Sequence, residues 1–101
     1  QVKVKELIIE PKKGMSLQKH HKRSEIWLVS QGKCLVNYSK VAPDKIEEIT
    51  LDKHKSLHVE LGDWHQITNP FNETCKIIEI QYGKETIEED IERHSYYKND
   101  E

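Results

Sequence analysis

Short extended runs of alternating apolar and polar residues, each closed by a glycine, proline or aspartate turn, follow one another along almost the whole chain. That rhythm has the period of half-buried strands, not of helices. The first run is Val2 to Glu10, and Pro11 to Gly14 turns the chain. Ser16 to Lys22 and Glu25 to Ser30 follow, then a turn at Gln31 and Gly32. Cys34, Val36 and Tyr38 alternate with polar neighbours, and Pro43 with Asp44 marks another turn. Ile46 to Leu51 and Ser56 to Leu61 are weaker strands, and Gly62 and Asp63 lead into Trp64 to Asn69. After a loop at Pro70 to Glu73, Lys76 to Gln81 is rich in β-formers. The one helical signal is one or two turns over Thr86 to Arg93, with Thr86 as N-cap and Glu89 three residues on. Eight or nine short strands in 101 residues point to an all-β sandwich or jelly roll.

Charge and composition narrow the partners. A formal net charge of −2 with no basic face argues against nucleic acid. The apolar runs are a few residues long, too short to span a membrane, and no secretory leader is visible. Cys34 and Cys75, each inside a strand, read as buried free thiols suited to a reducing cytoplasm.

Chemistry is concentrated in two stretches. Gly14 to Gly32 reads GMSLQKHHKRSEIWLVSQG, and Gly62 to Asn69 reads GDWHQITN. On an extended strand His20 and Lys22 share a face and His21 points the other way. Glu25 begins the next strand and returns to the His20 face across a bend, and His65 comes from a third strand. Imidazole nitrogen and carboxylate oxygen together suit zinc, manganese, nickel or iron.

The segments SLQKHHKRSEIWLVSQGK, GDWHQITNP and IIEIQYGKETIEEDIER resemble the cupin domain of type II mannose-6-phosphate isomerases. In that family the domain often follows a GDP-mannose pyrophosphorylase domain. The resemblance runs from about Val4 to Tyr97. It implies a small jelly-roll β-barrel (the cupin double-stranded β-helix), with residues 1–101 as a single domain. Gly14, His20, Glu25 and Gly32 match the first cupin motif, and Gly62, His65 and Asn69 the second. Lys22 stands where a second ligand histidine is expected, and Glu60 where a proline is. Tyr96, Tyr97 and Lys98 replace the family's closing tyrosine-glycine-arginine.

The resemblance implies metal ligands at His20, Glu25 and His65. Two arrangements follow from Lys22: it pairs with Glu25 in a metal-free pocket, or His21 enters as the fourth ligand. His20, Lys22, Glu25 and His65 are the catalytic candidates. Gln18, Arg23, Trp64 and Arg93 are the candidates for substrate contact. The implied activity is metal-dependent aldose–ketose isomerisation of a sugar phosphate. Two other readings stand beside it: a metal-free epimerase or ketoisomerase acting on a nucleotide sugar, and a non-catalytic sugar-binding cupin. A homodimer is expected, with Val2 to Ile9 as the strand that reaches the partner.

Overall fold

A computed structural model describes residues 1–98. It contains ten strands: β1 Val2–Ile9, β2 Lys13–Gly14, β3 Leu17–Lys19, β4 Arg23–Gln31, β5 Cys34–Ser39, β6 Glu47–Leu51, β7 Ser56–Val59, β8 Trp64–Asn69, β9 Cys75–Gly83 and β10 Glu92–Ser95. All described pairings are antiparallel.

The expectation of a closed jelly-roll barrel is not met. The strands form two separate open sheets. One has the order β1-β9-β4-β7. The other has the order β10-β3-β8-β5-β6, with β2 also on β8. Each sheet ends on free edges, β1 and β7 in one, β10 and β6 in the other, and among the described residues no ladder joins them. Closure would require hydrogen-bonded pairing to continue around the whole structure. Here the chain instead crosses between sheets through sharp corners. Gly32 (φ 71°) carries β4 into β5, and His54 (φ 71°), the turn between β6 and β7, returns it to the first sheet. At Gly32 a side chain has no room: a Cβ would lie 2.5 Å from the Thr74 carbonyl oxygen.

The space between the sheets is graded along the strands. Alternation turns Arg23, Glu25, Trp27 and Val29 of β4 inward, and Cys75, Ile77, Glu79 and Gln81 of β9. Register aligns these into rows across one sheet face: Lys3–Gln81–Glu25, then Lys5–Glu79–Trp27, then Leu7–Ile77–Val29. In the other sheet Arg93, Gln18, His65 and Tyr38 form a row. One end is therefore a dry core in which Val29, Cys34, Val36, Ile67, Cys75 and Ile77 are essentially inaccessible. The other end is lined with charge.

The expected helical turn over Thr86 to Arg93 does not form. The Gln1 side chain accepts hydrogen bonds from both the Thr86 N–H and its hydroxyl, each at 3.1 Å. A single turn (Asp90 N to Ile87 O, 3.2 Å) then delivers the chain into β10 beside β3. The backbone of the expected helix is thus engaged piecemeal, Thr86 by the Gln1 side chain, Asp90 and Ile91 by tight turns, and Glu92 and Arg93 by pairing with β3.

Candidate metal and sugar site

At the polar end His20, Glu25 and His65 converge from the end of β3, from β4 and from β8. All three are buried, and one ligand atom from each lies within 4.8 Å of the others. Glu25 Oε2 is 3.4 Å from His20 Nε2, and Glu25 Oε1 is 3.5 Å from His65 Nε2. The far side of each ring is held by a backbone carbonyl. His20 Nδ1 meets the Asp90 oxygen at 2.5 Å, and His65 Nδ1 meets the Asp63 oxygen at 2.9 Å. A carbonyl only accepts, so each Nδ1 carries the proton and each Nε2 presents a lone pair to the centre. Burial lowers the pKa of both rings, His65 to about 3, so both are neutral at neutral pH. Two fixed neutral imidazoles and a carboxylate form a donor set that fits a divalent transition-metal ion, with its rings oriented from behind.

A cation already stands there. Arg23, itself buried, donates from Nε to Glu25 Oε2 at 3.1 Å and from Nη1 to the Ile87 carbonyl at 3.1 Å. Its Nη2 reaches His20 Nε2 at 3.2 Å. Close approach of β9 to the start of β4 permits this. At Gly83 (φ 148°) a Cβ would lie 2.6 Å from the Lys22 carbonyl oxygen.

Burial, then the neighbouring Glu79, raise the pKa of Glu25 to about 7 in spite of Arg23. Glu79 accepts from Trp27 Nε1 at 3.0 Å and Gln81 Nε2 at 2.7 Å, and Lys5 Nζ lies 3.8 Å away. The group opens on a cavity of about 310 Å³, whose wall includes Gln18, Arg23, Glu79, Glu88, Arg93 and Tyr96.

The bend at His20–Lys22 decides where the other candidates go. Asp90 holds it: Oδ1 accepts from the His21 N–H at 3.0 Å and Oδ2 from the Lys22 N–H at 2.8 Å. No strand runs through these three residues, so the alternation that would put Lys22 beside His20 is broken and restarts at Arg23. Lys22 points to solvent and pairs with Glu85 at 3.3 Å, and His21 pairs with Glu92 at 3.2 Å. Neither joins the cluster. Gln18 and Arg93 line the cavity as neighbours across β3 and β10. Trp64 precedes His65 on β8 and faces the other way, under Lys19 (4.8 Å) and beside the His94 ring (6.1 Å). Glu79 and Asp90 were not among the candidate site residues. The signal for Glu79 was a charged residue at inward parity in the apolar run IIEIQ. Asp90 lies in the segment IIEIQYGKETIEEDIER that carries the family resemblance, but its role at the bend has no local signal, because its partners are 68 to 70 residues away.

Solved structures share this cupin-like fold of two sheets. The CapF capsular polysaccharide assembling protein of Staphylococcus aureus superposes with a TM-score of 0.81 at 21% identity, over 94% of this chain and 29% of that one. The BH2720 protein of Bacillus halodurans gives 0.78 at 17% identity, over 94% and 69%. The chain belongs to the family described as mannose-6-phosphate isomerase C-terminal, whose model matches residues 1–96. It is 34% identical over 100 residues to mannose-1-phosphate guanylyltransferase 2 of Escherichia coli, covering 98% of this chain. It is likewise 34% identical over 90 residues, 89% of this chain, to the alginate biosynthesis protein AlgA of Pseudomonas aeruginosa. The chain spans only about a fifth of these relatives, 20% and 18% of their lengths. It is a small cupin-like domain of that family whose His/Glu set is consistent with isomerase-type chemistry. Among the described residues no helix is long and apolar enough to cross a membrane.

Proposed function

We propose that this chain acts as a single domain, of the type II mannose-6-phosphate isomerase kind, that interconverts an aldose and a ketose phosphate in the cavity. The observation that carries the reading is the convergence of a buried carboxyl group, two imidazoles and a guanidinium on one cavity of about 310 Å³. A cavity at the small end of ligand sites takes one monosaccharide unit. Glu25 removes the proton from the carbon beside the carbonyl and returns it to the former carbonyl carbon. A hydroxyl proton crosses between the two oxygens. A carboxyl titrating near the working pH serves both directions. The lone pair on His65 Nε2 accepts from a sugar hydroxyl, and Arg23, held by Glu25 and His20, stabilises negative charge developing on oxygen. Arg93 at the cavity wall is suited to the phosphate. In a metal-dependent form His20, Glu25 and His65 would instead hold a divalent ion, which would supply Lewis-acid polarisation of the carbonyl oxygen while Glu25 served as ligand rather than base.

Arg23 at the cation position favours a second reading, a metal-free cupin that epimerises or isomerises a nucleotide-linked sugar. In that case the nucleotide stays outside the small cavity. The relatives' names, with alginate biosynthesis among them, support a sugar ligand. The test is interconversion of mannose 6-phosphate and fructose 6-phosphate, followed with and without chelator. Turnover that Glu25→Gln abolishes supports the first reading. Absence of turnover, together with binding of a nucleotide sugar, replaces it with the second. Binding of a sugar without turnover of either substrate class leaves a non-catalytic sugar-binding domain.

We also propose a homodimer. The outer face of the four-stranded sheet exposes Val2, Val4, Ile8, Leu28 and Ile78, which supports a partner copy there. β1 itself pairs with β9 of its own chain along its whole length, so any dimer would add to that face or to the free edge of β1. Sedimentation as a monomer at micromolar concentration would refute this. Two buried free thiols support a cytoplasmic setting.

A further inference from the structure

We infer that Arg23 is a built-in competitor of divalent metal: the guanidinium and a metal ion claim the same two donor atoms, Glu25 Oε2 and His20 Nε2, so this side chain sets metal occupancy. The inference shares its donor set with the proposed function, but it does not depend on turnover.

The contacts are specific. Nε of Arg23 lies 3.1 Å from Glu25 Oε2, and Nη2 lies 3.2 Å from His20 Nε2. A metal bound to those atoms would have to take the lone pairs that these N–H groups now occupy. Arginine stays charged and has no lone pair, so it cannot become a ligand, and a second positive charge beside it is repelled. His65 Nε2 has no hydrogen bond to Arg23, so a metal can approach from that side. The third contact of Arg23, to the Ile87 carbonyl at 3.1 Å, lies outside the donor set. The guanidinium can therefore swing out on that anchor while the ion takes its place.

Among the described residues no other lysine or arginine is hydrogen-bonded or ion-paired to His20, Glu25 or His65, although Arg93 also lines the cavity. Lys22, the lysine in the first motif, is engaged by Glu85 at the surface. Lys5 is 3.8 Å from Glu79 and 3.2 Å from Glu88.

The test is zinc binding by titration calorimetry, with cobalt(II) absorption as a spectroscopic readout, on wild type, Arg23→Leu, Arg23→Gln and Lys22→Leu. The expected result is about ten- to hundredfold tighter binding by both Arg23 variants, the worth of one charge-assisted hydrogen bond. Lys22→Leu should bind like wild type. In wild type, the Arg23 Nε–H resonance should shift toward that of a solvent-exposed arginine as zinc is added. Equal affinity in wild type and both Arg23 variants would overturn the inference, as would zinc binding that leaves the Arg23 resonance unmoved, or no zinc bound by any protein. Intact competition in a protein that turns over no sugar would remove the isomerase reading alone.

Discussion

The two ends of the inter-sheet space are built from the same strands and obey opposite rules. Along β4 the inward side chains run Arg23, Glu25, Trp27, Val29; along β9, read from its far end, they run Gln81, Glu79, Ile77, Cys75. Four residues take the interior from a buried ion pair to a dry core. At the apolar end, burial itself is the stabilising term, roughly 25 cal/mol per Å² of apolar surface removed from water. At the polar end, the same burial penalises every charge, and order depends on pairing: Arg23 with Glu25, Asp90 with the N–H groups of His21 and Lys22, Glu79 with Trp27 and Gln81. A single strand can thus line a dry core at one end and a buried, charged site at the other, because alternation fixes which face is inward but not its polarity.

The largest way to break this contrast is to put a charge at the wrong end. Val36→Asp buries a carboxylate that no described side chain there can pair, and should cost more than about 4 kcal/mol, read as loss of the cooperative thermal transition. Next comes an asymmetry inside the site. Glu25→Ala strands the Arg23 guanidinium and should cost about 3–5 kcal/mol in urea unfolding. Arg23→Leu should cost clearly less, because the orphaned Glu25 can become neutral and a guanidinium cannot. Equal costs would mean that the pair is solvated and the polar end is no true interior.

A smaller effect sharpens the comparison through pH. Glu25 titrates near 4.5 when unfolded and about 7 when folded. Its folded-state proton therefore contributes stability that is fully present below the lower value and lost as pH rises through the upper one. In chelator-treated protein, wild type should lose on the order of 1–3 kcal/mol relative to Glu25→Gln between about pH 5 and 8. Parallel stability profiles would deny the raised value. The smallest effect is expected outside both ends. Lys22→Ala removes an exposed pair with Glu85 and should change stability by less than about 0.5 kcal/mol.

Much of the fold was legible because strand alternation and turn chemistry are local. Corners at Gly32 and Gly62 carry the positive φ that their positions in the turns demand. Barrel closure was not legible, since it depends on which edges pair across the whole molecule. The placement of Lys22 stayed open for a related reason: strand parity puts it beside His20, a slip at the bend turns it outward, and the choice is made by Asp90, which bends the chain at His21 and Lys22 from far away in the sequence.

What the sequence determined by itself was the two-residue period, the turns between runs, and the presence of His20, Glu25 and His65 as groups able to meet on inward faces. Tertiary structure alone decided which cation meets Glu25, which nitrogen of each histidine is free, and that Glu79 stands behind the site. These depend on carbonyls and carboxylates that arrive from strands and turns far away in the chain, and on the loss of water around them. No local pattern encodes either.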